Sequence, residues 1–422
     1  MGMTMIEKIL ARASGSDRVR PGDIVTCQVD RAVQLDLSWA SPGLPIPEKV
    51  WDPSRIAVIL DHAIPAPNVA MANGLKRVRE FAKRFNIKHF YPEGRHGIGH
   101  QVVAELGLAL PGTILACSDS HTCASGAFNC AARGIGSTEM LYVLCKGQTW
   151  YEVVPTVQYV LKGRLGEGVY ARDIVHYIAG VYGEHLNLNL EFVGPAVKDL
   201  DIASRQTITT MAAELSAEFA LFECDERTEA YLRERTSEPY TPVFADPDAE
   251  FYDVREIDLG EIEPQVVMPH FVPHNVRPVS EVAGLPIDQA FIGSCANGRI
   301  EDLRIAAEIL KGRSVHPDTR LIITPASTEI AKQAVREGLV EIFLEAGAIF
   351  TNPTCGACYG GHMGIVGDGE RCLTSSTRNF KGRMGSPNSE VLMASPATVA
   401  ASAVVGAVAD PRRPLIPIRR AS

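Results

Sequence analysis

No apolar run in this chain approaches the roughly 18 to 20 residues that a bilayer-spanning helix requires. The stretch ASPATVAASAVVGAVA near the end is too short and too rich in alanine to span. There is no long basic run either, and 41 Lys and Arg stand against 50 Asp and Glu, a net charge of −9. Nucleic acid and anionic membrane surfaces select for the opposite balance, so any anionic ligand needs a local basic pocket. The N-terminal MGMTMIEKILARAS has no signal-peptide core, and Ile6 breaks the myristoylation pattern. Low-complexity segments and short tandem repeats are also missing. Ten cysteines in 422 residues are not spaced as a small disulfide scaffold. Together these absences point to a cytoplasmic protein with reduced thiols.

What is present reads as α/β. Strand-like runs RIAVIL, IKHFY and TILAC alternate with helical spacing in the first third, where Leu75, Val78, Phe81, Ala82 and Phe85 share one face. The last third repeats the alternation through QAFIG, RLIIT and AIF. The length and these shifts predict three α/β/α domains at 1–155, 156–265 and 266–422, the middle one smaller and ending in an acidic, Pro-containing linker. Ligand sites in parallel sheets lie beyond the carboxyl ends of strands. Three such ends, read as neighbours, deliver Asp61 and His62, then His96 and His100, then Asp119, Ser120 and His121. Each pair alone is as readily a satisfied core histidine; together they suit proton transfer, because a carboxylate fixes an imidazole's tautomer and raises its pKa.

The last third carries the sharpest motif. Cys355 and Cys358 in NPTCGACYGG stand two residues apart, and Cys295 lies upstream in FIGSCANGR. Three thiolates are one short of a closed structural cage and leave an open position on a metal. An iron–sulfur cluster, a zinc site completed by His362, and no metal at all are the readings this spacing allows. Gly356 and the glycine pair after Cys358 let backbone approach a bulky group closely. The loop TSSTRNFKGRMGS gathers Arg378, Lys381 and Arg383, either a solvated turn or a carboxylate-binding loop. TMAAELSAEFALF reads as a helix with Glu214 and Glu218 on one face.

As a set, DHAIP, GIGHQVV, SDSHT, GSCANGR, NPTCGACYGGHMG and RNFKGR resemble the aconitase superfamily, in family order and over nearly the whole chain. The nearest branch is that of the 3-isopropylmalate dehydratase large subunits and their homoaconitase-like relatives. The resemblance implies three domains around a cleft holding a 4Fe–4S cluster on Cys295, Cys355 and Cys358, whose fourth iron takes the substrate hydroxyl and a carboxylate. It assigns Asp61 and His62 to the leaving hydroxyl, pairs His100 with Asp119 and His121 with Glu214, and gives substrate contacts to Gln34, Ser120, Arg378 and Arg383. It implies a reversible dehydration of a hydroxy-dicarboxylate, 3-isopropylmalate first, with homoaconitate, 2-methylmalate, 2,3-dimethylmalate and maleate as alternatives. Ala296, Thr377 and Thr210 depart from the family pattern and bear on the substrate rather than on the metal ligands. The chain stops after the third expected domain, so the swivelling fourth domain and its serine base are expected on a separate small subunit. A cluster-free RNA-binding protein and a zinc-structured interaction protein are the readings from other classes, and the acidic balance opposes the first.

Overall fold

A computed structural model describes residues 2–39 and 44–418. In the first third, β1 (Ile24–Gln28) and β7 (Gln148–Glu152) form an antiparallel ribbon beside a five-stranded parallel sheet. That sheet holds β2 (Arg31–Leu35), β3 (Ile56–Ile59), β4 (His89–Tyr91), β5 (Ile114–Cys117) and β6 (Ala131–Gly134) in the order β4-β3-β2-β5-β6. β2 therefore lies between β3 and β5, so the three strand ends read as neighbours are not contiguous; a fourth end, that of β2, stands among them. β3 and β5 are apolar and buried along their length, as strands covered on both faces are. Leu75, Val78, Phe81 and Ala82 of the helix Val69–Arg84 are buried against one face, beside Ile56 and Val58.

The middle sheet is parallel, with β8 (Thr156–Lys162), β9 (Asn189–Val193), β10 (Ala220–Phe222) and β11 (Asp253–Asp258) in the order β10-β9-β8-β11. The acidic, Pro-containing stretch before β11 is bound to the first third rather than hanging free. Arg31 pairs with Glu238 at 2.7 Å, and the Asn129 side chain holds the Val243 N–H (2.8 Å) and carbonyl (2.9 Å). The helix read over 210–222 is two elements. The helix Ile202–Ala212 and a short 3-10 turn end at Ser216 in left-handed geometry, φ 62°, and the chain turns into β10. Glu218 consequently leaves the Glu214 face and pairs with Arg133.

The last third is a seven-stranded mixed sheet: β12 (Gln265–Val267), β13 (Val276–Pro278), β14 (Gln289–Ile292), β15 (Arg320–Ile323), β16 (Ile349–Phe350), β17 (Arg371–Thr374) and β18 (Glu390–Met393). Its order is β13-β12-β18-β17-β14-β15-β16, with β14 to β18 mutually parallel. The helices Ile300–Leu310 and Pro396–Val405 bury its apolar core. The first and last sheets are docked by a bridge between Gly97 and Ser327 and by the Ile98 N–H on the Ala326 carbonyl at 2.8 Å. No helix among the described residues is long and apolar enough to cross a membrane.

Candidate active site

Parallel pairing puts the ends of β2, β3 and β5 on one edge, and those of β14, β16 and β17 on one edge of the last sheet. The loops leaving both edges meet. Thr354, just before Cys355, donates its hydroxyl to the His62 carbonyl (2.7 Å) and lies 2.9 Å from that of Asp61. His362 Nε2 sits 3.0 Å from the His62 carbonyl.

At the centre is His62. Its backbone N–H and that of Ala63 donate to Asp36, at 3.0 and 2.9 Å, and its Nδ1 lies 3.2 Å from Asp36 Oδ1. Nδ1 is 3.6 Å from Asp61 and Nε2 is 3.6 Å from Asp119. Asp119 also meets His100 Nε2 at 2.8 Å and accepts the His121 N–H at 2.8 Å. His121 Nε2 lies 2.9 Å from Glu214, which accepts Arg378 Nε at 2.7 Å. Asp61 accepts the Gly99 N–H at 2.7 Å and the Cys355 thiol at 3.2 Å.

Burial opposes every charge in this network, and the partners decide the outcome. Burial disfavours the His62 imidazolium, but Asp61, Cys355, Asp119 and Asp36 lift it well above the ordinary histidine range. His121 is lifted in the same way, against burial, by Cys295, Asp119 and Glu214. Burial acts to raise Asp119, and three histidines hold it well below the carboxylate range instead. Asp36 is likewise held down against burial, by His62 and the two backbone N–H groups. Asp61 goes the other way, raised by burial that His62 does not offset.

Cys295, Cys355 and Cys358 are all buried and free. Burial raises the Cys355 thiol and Asp61 raises it further; burial also opposes the Cys358 thiolate, but Arg383, the Thr377 backbone and His121 together hold Cys358 below its ordinary value. Arg383 Nη2 is 3.8 Å from Cys358 Sγ, and Thr377 Oγ1 is 3.8 Å from the same sulfur. Buried Arg383 Nε and Ser294 Oγ have no hydrogen-bond partner beside these cysteines. A single tetrahedral zinc, with Zn–S near 2.3 Å, would hold its sulfurs only about 3.8 Å apart. Among the described residues, the ligand atoms gathered within 4.8 Å of one another are those of Asp61, His62 and Cys355, not the three sulfurs. Three soft thiol donors spread wider than one ion demands, with orphaned polar atoms beside them, fit a polynuclear iron–sulfur group.

The structure thus brings together Asp61, His62, His100, Asp119, His121, Glu214, Arg378, Arg383 and the cysteine loops. Ser120 is exposed at the turn between Asp119 and His121. Gln34 is buried in β2 with its amide on the Leu35 carbonyl at 2.9 Å, outside that network. Thr210 is also buried, its hydroxyl on the Gln206 carbonyl at 2.5 Å. Sequence reasoning missed Asp36, although it stands at the carboxyl end of a strand, RAVQL, as the chosen acids do.

The aconitase family model (aconitate hydratase) matches residues 46–406. The chain is 52% identical over 413 residues to a 3-isopropylmalate dehydratase large subunit of Mycolicibacterium smegmatis, covering 98% of both chains. It is 44% identical over 423 residues to the 3-isopropylmalate dehydratase large subunit of Aquifex aeolicus, covering 97% of each. A crystal structure of Thermococcus kodakaraensis aconitase X shares 14% identity at a TM-score of 0.47, over 88% of this chain and 87% of that one.

Proposed function

The chain belongs to the aconitase family of hydro-lyases, and on that premise we propose that it is the large subunit of a 3-isopropylmalate dehydratase. The observation that carries this reading is the meeting of three buried thiols with the Asp36–His62–Asp119 network where loops from the first, parallel sheet meet loops from the parallel strands of the last, mixed sheet. Cys295, Cys355 and Cys358 would hold a 4Fe–4S cluster, which when bound supplies Lewis acidity toward a hydroxyl and its neighbouring carboxylate.

This chain's residues do the remaining work. His62, kept charged by its carboxylates, is the acid that delivers the proton from Nε2 to the departing hydroxide. Asp36 fixes the His62 ring through Nδ1, leaving Nε2, 3.6 Å from Asp119, to deliver the proton. Arg378, anchored by Glu214, and Arg383, anchored beside Cys358, present guanidinium groups for the substrate carboxylates. Fixing both carboxylates orients the adjacent C–H bond for the base. The relatives' designation as large subunits supports a small-subunit partner, and we assign the base to that partner.

The test is anaerobic reconstitution with the cognate small subunit, followed by the ultraviolet absorbance of the unsaturated product. Turnover of 3-isopropylmalate above homoaconitate, 2-methylmalate, 2,3-dimethylmalate and maleate is expected, with none from the large subunit alone. Turnover without the partner would remove the base from it. Cys355→Ser should leave the protein folded but unable to retain about four iron and four sulfide per chain; full retention rejects Cys355 as a ligand.

A further inference from the structure

Two arginines rank among the largest fully buried side chains, and they are treated differently. Arg205 is held by a two-pronged ion pair to Asp225, at 2.8 and 2.6 Å. Arg172 has no carboxylate within ion-pair distance among the described residues. Its Nη1 donates to Asn297 Oδ1 (2.8 Å) and the Ser375 carbonyl (2.6 Å), its Nη2 donates to the Ser376 carbonyl, and its Nε has no partner. All of these acceptors are neutral. Leaving a buried charge unpaired is strongly unfavourable, and neutral acceptors offset the penalty only in part.

The surroundings do not offset it either. Arg172 lies in the first turn of the helix Ala171–Tyr182, whose N-terminal dipole end adds positive character. Asp173 is raised by burial to about 7, and its oxygens take the N–H groups of Gln265 and Tyr170, both at 2.9 Å. Asp302 is raised by burial to about 6 and is committed to Asn297 (2.9 Å) and the Arg299 N–H (3.0 Å). Buried His176 is held neutral by burial and by Arg172 itself. Burial lowers Arg172 to about 10, so it stays charged at neutral pH; Asp173, Asp302, Cys295 and Cys358 are what pull it back up.

The acceptors of Arg172 define its place. Asn297 is two residues beyond Cys295, and Ser375 and Ser376 lead into Thr377 and Arg378. From the helix Ala171–Tyr182 in the middle third, one guanidinium therefore grips both the cysteine loop and the arginine loop of the last third. We propose that Arg172 is the built-in counter-charge of the iron–sulfur group, a positioning residue that joins these two loops and sets the cluster's reduction potential. This rests on the three-cysteine reading above. A 4Fe–4S core in its 2+ state with three thiolates carries one net negative charge, and accepting one electron makes it two. A fixed cation close by favours the reduced form and retention of the cluster; net charge and nearby hydrogen bonds are known levers on such potentials.

The experiment uses the anaerobically loaded large and small subunits together. Arg172→Lys keeps the charge, Arg172→Gln keeps hydrogen-bond donors without it, and Arg172→Met keeps neither. Potentiometric titration read by electron paramagnetic resonance should shift the one-electron equilibrium of the Gln and Met variants about tenfold toward the oxidised cluster, ~59 mV. The Lys variant should stay within about twofold of the parent. Iron release to a chelator should run about tenfold faster in the Gln variant than in the Lys variant. If Arg172→Met does not fold, the Gln and Lys comparison decides alone. Equal potentials in Gln and Lys variants, with the same loss of thermal stability in loaded and cluster-free protein, would make Arg172 a strut and overturn the proposal. Parent protein that binds neither iron nor sulfide would overturn the cluster reading itself.

Discussion

At the scale of single residues, the site turns on how one imidazole is held. Asp36 takes two backbone N–H groups from the His62 turn and also faces the ring. Asn at this position would keep the shape but lose the anion, and its amide could present N–H to Nδ1. Asp36→Asn should lower kcat about 100-fold, the scale of a lost general acid, with KM little changed and the cluster absorbance intact. The sign of the pH effect follows from the His62 shift. The acid form is the active one, and its carboxylate neighbours raise its pKa, so the parent should hold activity well into the alkaline range. With one neighbour neutral, the alkaline limb of kcat should move to lower pH. An unmoved limb would assign the acid to another group. Asp36 was legible only in principle: motif spacing marks Asp61-His62, where acid and base are adjacent in sequence, whereas Asp36 reaches His62 only because β2 pairs with β3.

Elements register forces that single positions hide. The helix Met5–Ser14 opens with a capping box at Thr4 and Glu7, and its Ile6 N–H donates to Glu191 on β9 at 3.2 Å. Burial pushes Glu191 up to about 8, against two backbone N–H groups, so it is protonated in the folded protein at neutral pH. The unfolded carboxyl titrates near 4.5. Between these values the folded state binds the extra proton, so its stability falls as pH rises from about 5 to about 8 by up to ~1.4 kcal/mol per unit. Glu191→Gln removes that slope. Thermal melts should show the variant overtaking the parent as pH rises through this window, and parallel curves would reject the assignment. Elements of this kind were readable where local pattern and tertiary demand agree, as in the Val69–Arg84 helix with its buried Leu75, Val78, Phe81 and Ala82. They were misread where they conflict. TMAAELSAEFALF keeps helical spacing with no glycine or proline to stop it, yet Ser216 turns left-handed so that β10 can join β9. Strand pairing outweighed local propensity there.

For the whole molecule, the proposed site depends on the first and last sheets being brought together, because Asp36, Asp61, His62 and Asp119 belong to the first and all three cysteines to the last. The join is tight at Gly97, where a Cβ would lie 2.7 Å from Ser327 Cα and 2.9 Å from the Ala326 carbonyl oxygen. Both are backbone atoms of a strand-to-helix turn, so they cannot swing aside as a flexible side chain would. The same turn carries Ser327 Oγ, 2.5 Å from Glu105, and accepts the Ile98 N–H. Gly97→Ala should therefore push the first sheet away from the last without disturbing either core. His62 would shift relative to the cysteine loops, and misplacement by about 1 Å is enough to cost roughly 100-fold in rate. Iron and sulfide content should stay at the parent level, since the three proposed cysteine ligands all lie on one side of the join, and far-ultraviolet circular dichroism should not change. A variant with full kcat would show that the join leaves room for a methyl group. A variant that loses iron together with activity would show that the cysteine loops depend on the first sheet for their shape.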